Sequence, residues 1–176
     1  MILQDDVITI PITHEMKLEA LEQEKLIESQ KVKSKETRNL NSRKNFYGAL
    51  GEIVVRTYFE ECEIPATFPQ YFDKDISRDE CDFMHRGEKI DIKTSPGNST
   101  LNGFLFVNCK QKDKKVDQYC FVKIDKERQE ANIMGIISYD DFYSYSHVKN
   151  TPRMKSPAYA INTDLLEPFR NFVYGI

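Results

Sequence analysis

One short segment, a glycine turn between two strand-like runs, constrains the fold of this chain more than any other. Residues 81–85 and residues 88–94 flank the dipeptide Arg86-Gly87. A two-residue loop with glycine in its second position is a strong signal for a tight β-hairpin. The sequence therefore predicts two antiparallel strands whose register is set by this turn.

The predicted register brings two acidic side chains face to face. If the dipeptide forms the turn, His85 faces Glu88, and counting outward places Asp82 opposite Asp91. The Cβ atoms of cross-strand partners are about 5 Å apart, and like charges at this spacing are destabilising unless another group compensates them. A bound cation is the simplest compensation, and Lys93 would lie one pleat away on the same face.

Strand alternation divides the second arm of the hairpin into two faces. Ile90 and Ile92 point towards a core, whereas Lys89, Asp91 and Lys93 share the opposite face. Most Asp-x-Lys triplets of this kind are only the solvated face of a half-buried strand. The triplet alone therefore indicates a nuclease weakly, and its meaning depends on the segments around it.

An amphipathic helix is predicted upstream, from about residue 44 to residue 62. Gly48 and Gly51 lie inside it, and each costs on the order of 1 kcal/mol against alanine, so they indicate a close approach by another backbone. Glu52 follows the second glycine and is expected to be partly shielded, although a surface glutamate is the commoner case. The apolar positions that define the helix are Phe46, Tyr47, Leu50, Ile53, Val54 and Tyr58.

The order of these motifs resembles the PD-(D/E)XK nuclease superfamily, which has the restriction-endonuclease-like fold. Asp82 matches the aspartate of the first motif, and Asp91 and Lys93 match the acidic residue and the lysine of the second. Glu52 matches a helix glutamate found in many members. The chain departs from the pattern at Cys81, where the motif name has proline, and in using aspartate at position 91 where glutamate is more frequent.

The resemblance covers about residues 44–138 and implies an α/β (α+β) core. This core would be a central mixed sheet of four to five strands flanked by helices, with an N-terminal helical extension. The resemblance also implies hydrolysis of DNA phosphodiester bonds with Mg²⁺, or Mn²⁺ in its place, held by Glu52, Asp82 and Asp91. Lys93 would be the catalytic lysine, orienting the water and offsetting charge on the phosphate.

The N-terminal segment predicts a strand and a helix. Residues 7–12 form a short strand ended by proline, and Thr13 caps a helix that runs to about Lys35. The helix can pack on the core, clamp DNA or mediate dimerisation, and the sequence does not choose between these.

The pattern weakens between Thr94 and Asp117. Residues 95–100 predict a loop, residues 104–107 a strand, and the lysines after them at most a short helix, although the superfamily usually has a crossover helix here. Further along, the sequence predicts strands at 119–124 and 132–137, a short helix at 139–145 packing aromatic residues on the sheet, a strand at 159–161 and a terminal helix at 165–172.

Length and composition favour one domain. The chain has 176 residues, of which 40% are hydrophobic, enough for one core and too few for two large ones. We expect a single nuclease domain over residues 1–176, with an N-terminal extension at 1–43, a catalytic core at 44–138 and C-terminal elements at 139–176.

Cysteine usage and hydropathy point to a cytoplasmic protein with no membrane partner. Cys62, Cys81, Cys109 and Cys120 include no closely spaced pair, and three histidines give no zinc signature. The sequence has no secretory h-region and no apolar run of about 18 residues.

The net charge of −3 argues against binding of nucleic acid through bulk electrostatics, but the charge is unevenly distributed. Six basic residues and one acid lie between Lys31 and Lys44, and a second basic cluster lies between Lys110 and Lys115. Such residues can contact phosphates, and a solvated helix end or linker explains the first run equally well. The residues expected to bind nucleic acid are Lys35, Arg38, Arg43, Lys44, Ser95, Lys112 and Lys114.

Taken together, these patterns predict a Mg²⁺-dependent endonuclease that acts on duplex or branched DNA, with RNA not excluded and a homodimer possible. An RNA-cleaving or Holliday-junction-resolving nuclease is an alternative within the enzyme class. The alternative in a different class is a nucleic-acid-binding or assembly protein that keeps the nuclease fold without turnover.

Overall fold

The structure of the chain, a computed structural model, describes residues 4–33, 42–69, 81–97, 103–150 and 156–176. These residues form eight strands and four α-helices. The strands are β1 (Ile8–Pro11), β2 (Phe83–His85), β3 (Glu88–Pro96), β4 (Phe104–Asn108), β5 (Gln118–Asp125), β6 (Glu130–Ser138), β7 (His147–Lys149) and β8 (Ala158–Asn162). The helices are α1 (His14–Lys33), α2 (Ser42–Glu61), α3 (Tyr139–Tyr145) and α4 (Phe169–Tyr174).

The centre of the fold is a mixed sheet of five strands in the order β1-β6-β5-β3-β2. β3 and β5 run parallel, and the other neighbours run antiparallel. β5 lies at the middle of the sheet and every residue in it after Gln118 is buried, which agrees with its apolar sequence. The predicted mixed sheet of four to five strands is thus confirmed.

Helices cover both faces of this sheet, and each face has its own core. On one face, α1, α2 and α4 bury Met16, Leu50, Val54 and Phe169 against the strands. On the other face, Phe142 of α3 packs with Tyr119 and Phe121 of β5. The prediction that α3 packs aromatic residues onto the sheet is confirmed, with the bounds 139–145 as expected.

A second sheet of three strands, in the order β4-β8-β7, lies over the same face as α3 and was not predicted as a separate unit. The strand expected at residues 104–107 exists, but it pairs with β8 instead of joining the central sheet. Leu105 and Val107 are buried while Phe104 and Phe106 are exposed, so an alternating pattern favours a strand here.

The connection from β3 to β5 has no α-helix among its described residues. It contains β4 and a short 3-10 turn at Cys109–Gln111. Parallel strands require a crossover connection, and the regular elements in the described part of this one are a strand and a turn. The described part of the connection thus differs from the crossover helix usual in the superfamily that the sequence resembles.

Several predicted boundaries are close to the observed ones, and two are wrong. Thr13 caps α1 as expected, since its Oγ1 accepts a hydrogen bond from the Met16 amide at 3.2 Å. The loop predicted from residue 95 begins too early, because β3 continues to Pro96 in parallel pairing with β5. The terminal helix starts at Phe169 and not at residue 165, because Glu167 exchanges two backbone hydrogen bonds with Ile136.

All four cysteines are free. Within the described part of the chain, none of the helices is both long enough and apolar enough to cross a lipid bilayer.

Candidate active site

The hairpin places Asp82 just outside β2, beside the part of β3 that continues past the end of β2. His85 pairs with Glu88 as predicted, and Arg86 and Gly87 have positive φ angles of 51° and 84°, as a type I′ turn requires. The ladder of β2 stops at Phe83. Beyond this point, no strand of the described residues pairs with β3 on this edge.

Asp82 caps that edge. Its amide donates a hydrogen bond to the Ile90 carbonyl at 2.9 Å, and its Oδ2 accepts one from the Ile92 amide at 2.6 Å. These two bonds hold the Asp82 carboxyl group against the backbone of β3. They go to Ile90 and Ile92, the residues on either side of Asp91.

Asp91 is buried, with 1% of its surface exposed, and two lysines neutralise it. Lys93, on the same strand, contacts Oδ2, and Lys114, from the connection after β4, contacts Oδ1. Oδ2 forms no hydrogen bond with any described residue, although the ion pair with Lys93 involves it. The ammonium of Lys93 also lies over the Tyr119 ring, 5.8 Å from its centroid.

Glu52 reaches the site from α2, and one of the two helix glycines explains how close this helix comes. A Cβ atom on Gly51 would lie 1.9 Å from Oγ1 of Thr94 in β3, so only glycine fits there. The sequence analysis expected another backbone to approach Gly51, and the structure shows that the neighbour is the Thr94 side chain instead. Gly48 has nothing within 4 Å of its Cβ position, so the prediction of a close approach there is wrong. Glu52 is partly buried, as predicted.

The acidic residues approach β3 from two sides. Ile90 and Ile92 belong to the core shared with α2, so Asp91, which alternates with them, points to the opposite face. Glu52 lies on the α2 side. Asp82 lies between the two at the strand edge.

This arrangement explains why the acids do not form a compact cluster. Among the described residues, no group of three or more His, Cys, Asp or Glu side chains is placed to hold a metal ion. The chemistry of the donors nevertheless fits a hard divalent cation, because all three are carboxylates, although both oxygens of Asp91 already contact lysine ammonium groups.

The electrostatics of Asp82 also fit this interpretation. Desolvation, followed by the charges of Glu52 and Asp91, raises the pKa of Asp82 from 3.8 to about 8. Lys114 and the Ile92 amide act in the opposite direction without cancelling the rise. A carboxyl group with this environment gains most from an additional nearby cation.

Lys114 stays charged in spite of its burial. Desolvation acts to lower its pKa, but Asp91 and Asp82 outweigh this, so that the pKa of Lys114 is raised. The sequence had placed Lys114 among phosphate-binding residues. The structure places its ammonium on the acidic residue of the Asp-x-Lys motif, a contact that spacing along the chain does not indicate.

A cavity of about 530 Å³ opens beside Asp82 on the α2 side. Four acids and one arginine line it: Glu19, Glu52, Glu60, Asp82 and Arg56. The arginine is already paired, since one of its terminal nitrogens lies 2.7 Å from both carboxylate oxygens of Glu19. The cavity is thus strongly acidic and suits cations better than phosphates.

The other residues expected to bind nucleic acid are dispersed. Ser95 is exposed on β3, in register with Lys123 of β5. Lys112 lies with its ammonium 5.9 Å from the Tyr143 ring centroid and 5.7 Å from that of Tyr159. Lys35 and Arg38 lie outside the described residues, and Arg43 and Lys44 are described only as backbone of α2.

Sequence reasoning missed Lys123, which is buried in β5. Its burial lowers the pKa of its amine, and it lies on the same face of the sheet as Asp91 and Lys93. The sequence does offer a signal for this buried amine, because Lys123 is the one charged residue in the apolar run at 119–124.

The chain was compared with family models and with curated proteins, and neither comparison found a match.

Proposed function

We propose that this chain is a metal-dependent endonuclease of the PD-(D/E)XK type, with a restriction-endonuclease-like core, that hydrolyses DNA phosphodiester bonds. One observation carries the proposal. Asp82 lies at the edge of β3 between Glu52 and Asp91, and it is close enough to both that their charges add to the rise in its pKa caused mainly by desolvation. The three carboxylates that the sequence singled out come from three separate elements, and Glu52 and Asp91 both act electrostatically on Asp82.

The residues have a clear division of roles under this proposal. Glu52, Asp82 and Asp91 would hold Mg²⁺, with Mn²⁺ as a substitute, because hard cations prefer carboxylate oxygens. The bound ion would polarise the scissile phosphate and lower the pKa of a water molecule. Lys93 would position that water and stabilise the negative charge that develops on the phosphate oxygens.

The direction of substrate approach follows from the charges on the two sides of β3. The cavity on the α2 side is acidic and repels a polyanion. The opposite side carries Lys93 and Lys114, and Ser95 is exposed further along the same strand. Nucleic acid would therefore approach the Asp91 side, and phosphate contacts there would be sensitive to salt.

The experiment that tests the function is a cleavage panel. Purified protein should cut supercoiled, linear, single-stranded or branched DNA, or RNA, with Mg²⁺ or Mn²⁺ and not with EDTA. Asp91→Ala and Lys93→Ala should each abolish this activity. If both variants cut as well as the wild type, the activity comes from another site or a contaminant, and the proposal is wrong.

The alternative is a nucleic-acid-binding or assembly protein without turnover. One observation favours it, since the described acids do not form a compact metal site. It predicts DNA binding that is indifferent to EDTA and to Asp82→Ala, with no cleavage of any substrate in the panel. A cytoplasmic location and a homodimer are further proposals, the second of which sedimentation of the purified chain would test.

A further inference from the structure

Asp91 carries one negative charge, but two positively charged side chains contact it. One carboxylate contacts two ammonium groups, Lys93 on Oδ2 and Lys114 on Oδ1. Both lysine side chains are largely shielded, with 15% and 17% of their surface exposed. Lysine usually keeps its ammonium in water, so two shielded ammonium groups on one acid are an unusual arrangement.

The two lysines differ in how they are attached. Lys93 projects from β3, which is paired along its length with β5. Lys114 projects from a turn, where its amide bonds to the Gln111 carbonyl at 3.0 Å and its carbonyl accepts from the Val116 amide at 3.1 Å. The long side chain of Lys114 can therefore swing away while the backbone around it stays in place.

A divalent cation and the Lys114 ammonium would both seek the same carboxylate. Lys114 contacts Asp91 directly and also interacts with Asp82. These are two of the three carboxylates that would hold the cation in the proposed function. Positive charges at such short range repel each other strongly away from bulk water.

We propose that Lys114 is a tethered counter-ion of Asp91 that a divalent cation displaces when it binds. The inference rests on the proposed function, because it assumes that Asp82 and Asp91 are metal ligands. Lys114 is then a positioning residue, which holds Asp91 until the cation enters. In the present conformation lysines occupy both oxygens of Asp91, so a cation can reach this carboxylate only by displacing one of them.

The direct test follows the reactivity of individual lysines in the wild-type protein. Brief acetylation, followed by peptide mass spectrometry, should show that Lys114 reacts slowly without metal and faster as Mn²⁺ is added. We expect an increase of about fivefold or more, the lower end of the usual coupling between linked sites. Lys115 is the internal control, since it is exposed and its reactivity should not change.

A second measurement uses the reciprocity of linkage. If Mn²⁺ displaces Lys114, removal of the ammonium must tighten Mn²⁺ binding by a similar factor. Electron paramagnetic resonance should therefore show about fivefold tighter Mn²⁺ binding in Lys114→Met. Lys115→Met loses the same charge from the exposed neighbouring position and should bind as the wild type does, and Lys114→Arg should restore the wild-type affinity.

The outcomes separate this inference from the proposed function. Mn²⁺ binding with unchanged Lys114 reactivity overturns the role of Lys114 and leaves the nuclease proposal intact. Equal tightening in Lys114→Met and Lys115→Met also overturns it, because a general charge effect would then suffice. Displacement of Lys114 without cleavage of any nucleic acid supports the inference and contradicts the nuclease. Absence of Mn²⁺ binding contradicts both the Lys114 inference and the nuclease proposal. Because the acetylation test uses the wild-type protein, it does not depend on whether a variant folds.

Discussion

The two sides of β3 differ sharply in charge. On the α2 side, Glu52 and the acids of the adjoining cavity surround one arginine that is already paired with Glu19. On the opposite side, Asp91 is neutralised by Lys93 and Lys114. The strand thus separates a region that attracts cations from a region that attracts anions, with Asp82 at the edge between them.

Two faces of opposite charge on one short strand would suit the reaction proposed above, which needs both charges. A metal-dependent phosphodiesterase must bring a cation and a polyanion to the same atoms. Strand alternation provides two faces only about one residue apart, and among the described residues β2 ends before it reaches the edge where the faces meet. Each prediction below tests one side of this division.

The largest effect is expected for Lys93, on the basic side. Lys93→Met should lower the rate of metal-dependent DNA cleavage by about 10²- to 10⁴-fold, because a positioned general acid–base group contributes this much. Lys89→Met is the matched control, since Lys89 is the same number of residues from Asp91 on the other side along β3. If both variants lose activity equally, the lysines only attract the substrate, and the division of roles on this face is wrong.

Asp91 should have the next largest effect, measured as stability in EDTA. Asp91→Asn leaves two shielded ammonium groups without their carboxylate, and breaking such a pair costs about 3 kcal/mol of unfolding free energy. Urea unfolding monitored by circular dichroism would measure this. In the double variant with Lys114→Met, part of the loss should be recovered, because one uncompensated charge is removed. Strictly additive losses would show that Lys114 and Asp91 do not interact.

The sequence predicted the parts of this division that depend on local patterns. The Arg86-Gly87 turn correctly gave the pairing of His85 with Glu88, and alternation along β3 placed Asp91 and Lys93 on the same face. Asp82 lies one residue before β2, so the cross-strand pair predicted for it is not part of the observed ladder. Lys114 comes from a segment 23 residues away from Asp91, and its contact depends on how β4 leaves the central sheet. No turn or periodicity encodes such a contact, because it arises from tertiary packing.

The same contrast explains the errors in the fold. The second sheet was missed because pairing of β4 with β8 joins residues 50 or more positions apart. Ser95 was assigned to a loop because Ser-Pro-Gly is typical turn chemistry, yet parallel pairing with β5 extends β3 through it. Gly48 and Gly51 look equivalent in the sequence, and only the position of Thr94 distinguishes them.

The two glycines give a matched test of the α2 side. Gly51→Ala would force a methyl group onto Thr94 Oγ1 and should destabilise the protein by about 1–3 kcal/mol. Gly48→Ala meets open space and should stabilise it by up to about 1 kcal/mol, through helix propensity. Thermal unfolding of both variants would measure the difference. Equal effects would mean that α2 does not approach β3 as closely as described.

The smallest effect is expected for Asp82, the residue at the boundary. Because its pKa is raised from 3.8 to about 8, the folded state holds the proton more tightly than the unfolded state does. Its contribution to stability is therefore complete below about pH 4 and is lost as the pH rises through 8. The Asp82→Asn side chain cannot ionise but can still accept the hydrogen bond from the Ile92 amide. Because only the wild type loses stability as Asp82 ionises, the stability of the variant relative to the wild type should increase between pH 5 and pH 9.

We expect this increase to be about 1 kcal/mol, well below the full value of the rise in pKa, because part of the Asp82 surface is exposed and water there screens the charge. Urea unfolding in EDTA at several pH values would measure it. Asp117→Asn is the control, since Asp117 also accepts a β3 amide, that of Lys89 at 2.7 Å, but is exposed. A pH dependence that is the same in both variants would show that neither burial nor the charges of Glu52 and Asp91 raise the pKa of Asp82. The acidic and basic sides of β3 would then be electrostatically independent, and a cation held between them would have no reason to favour this edge.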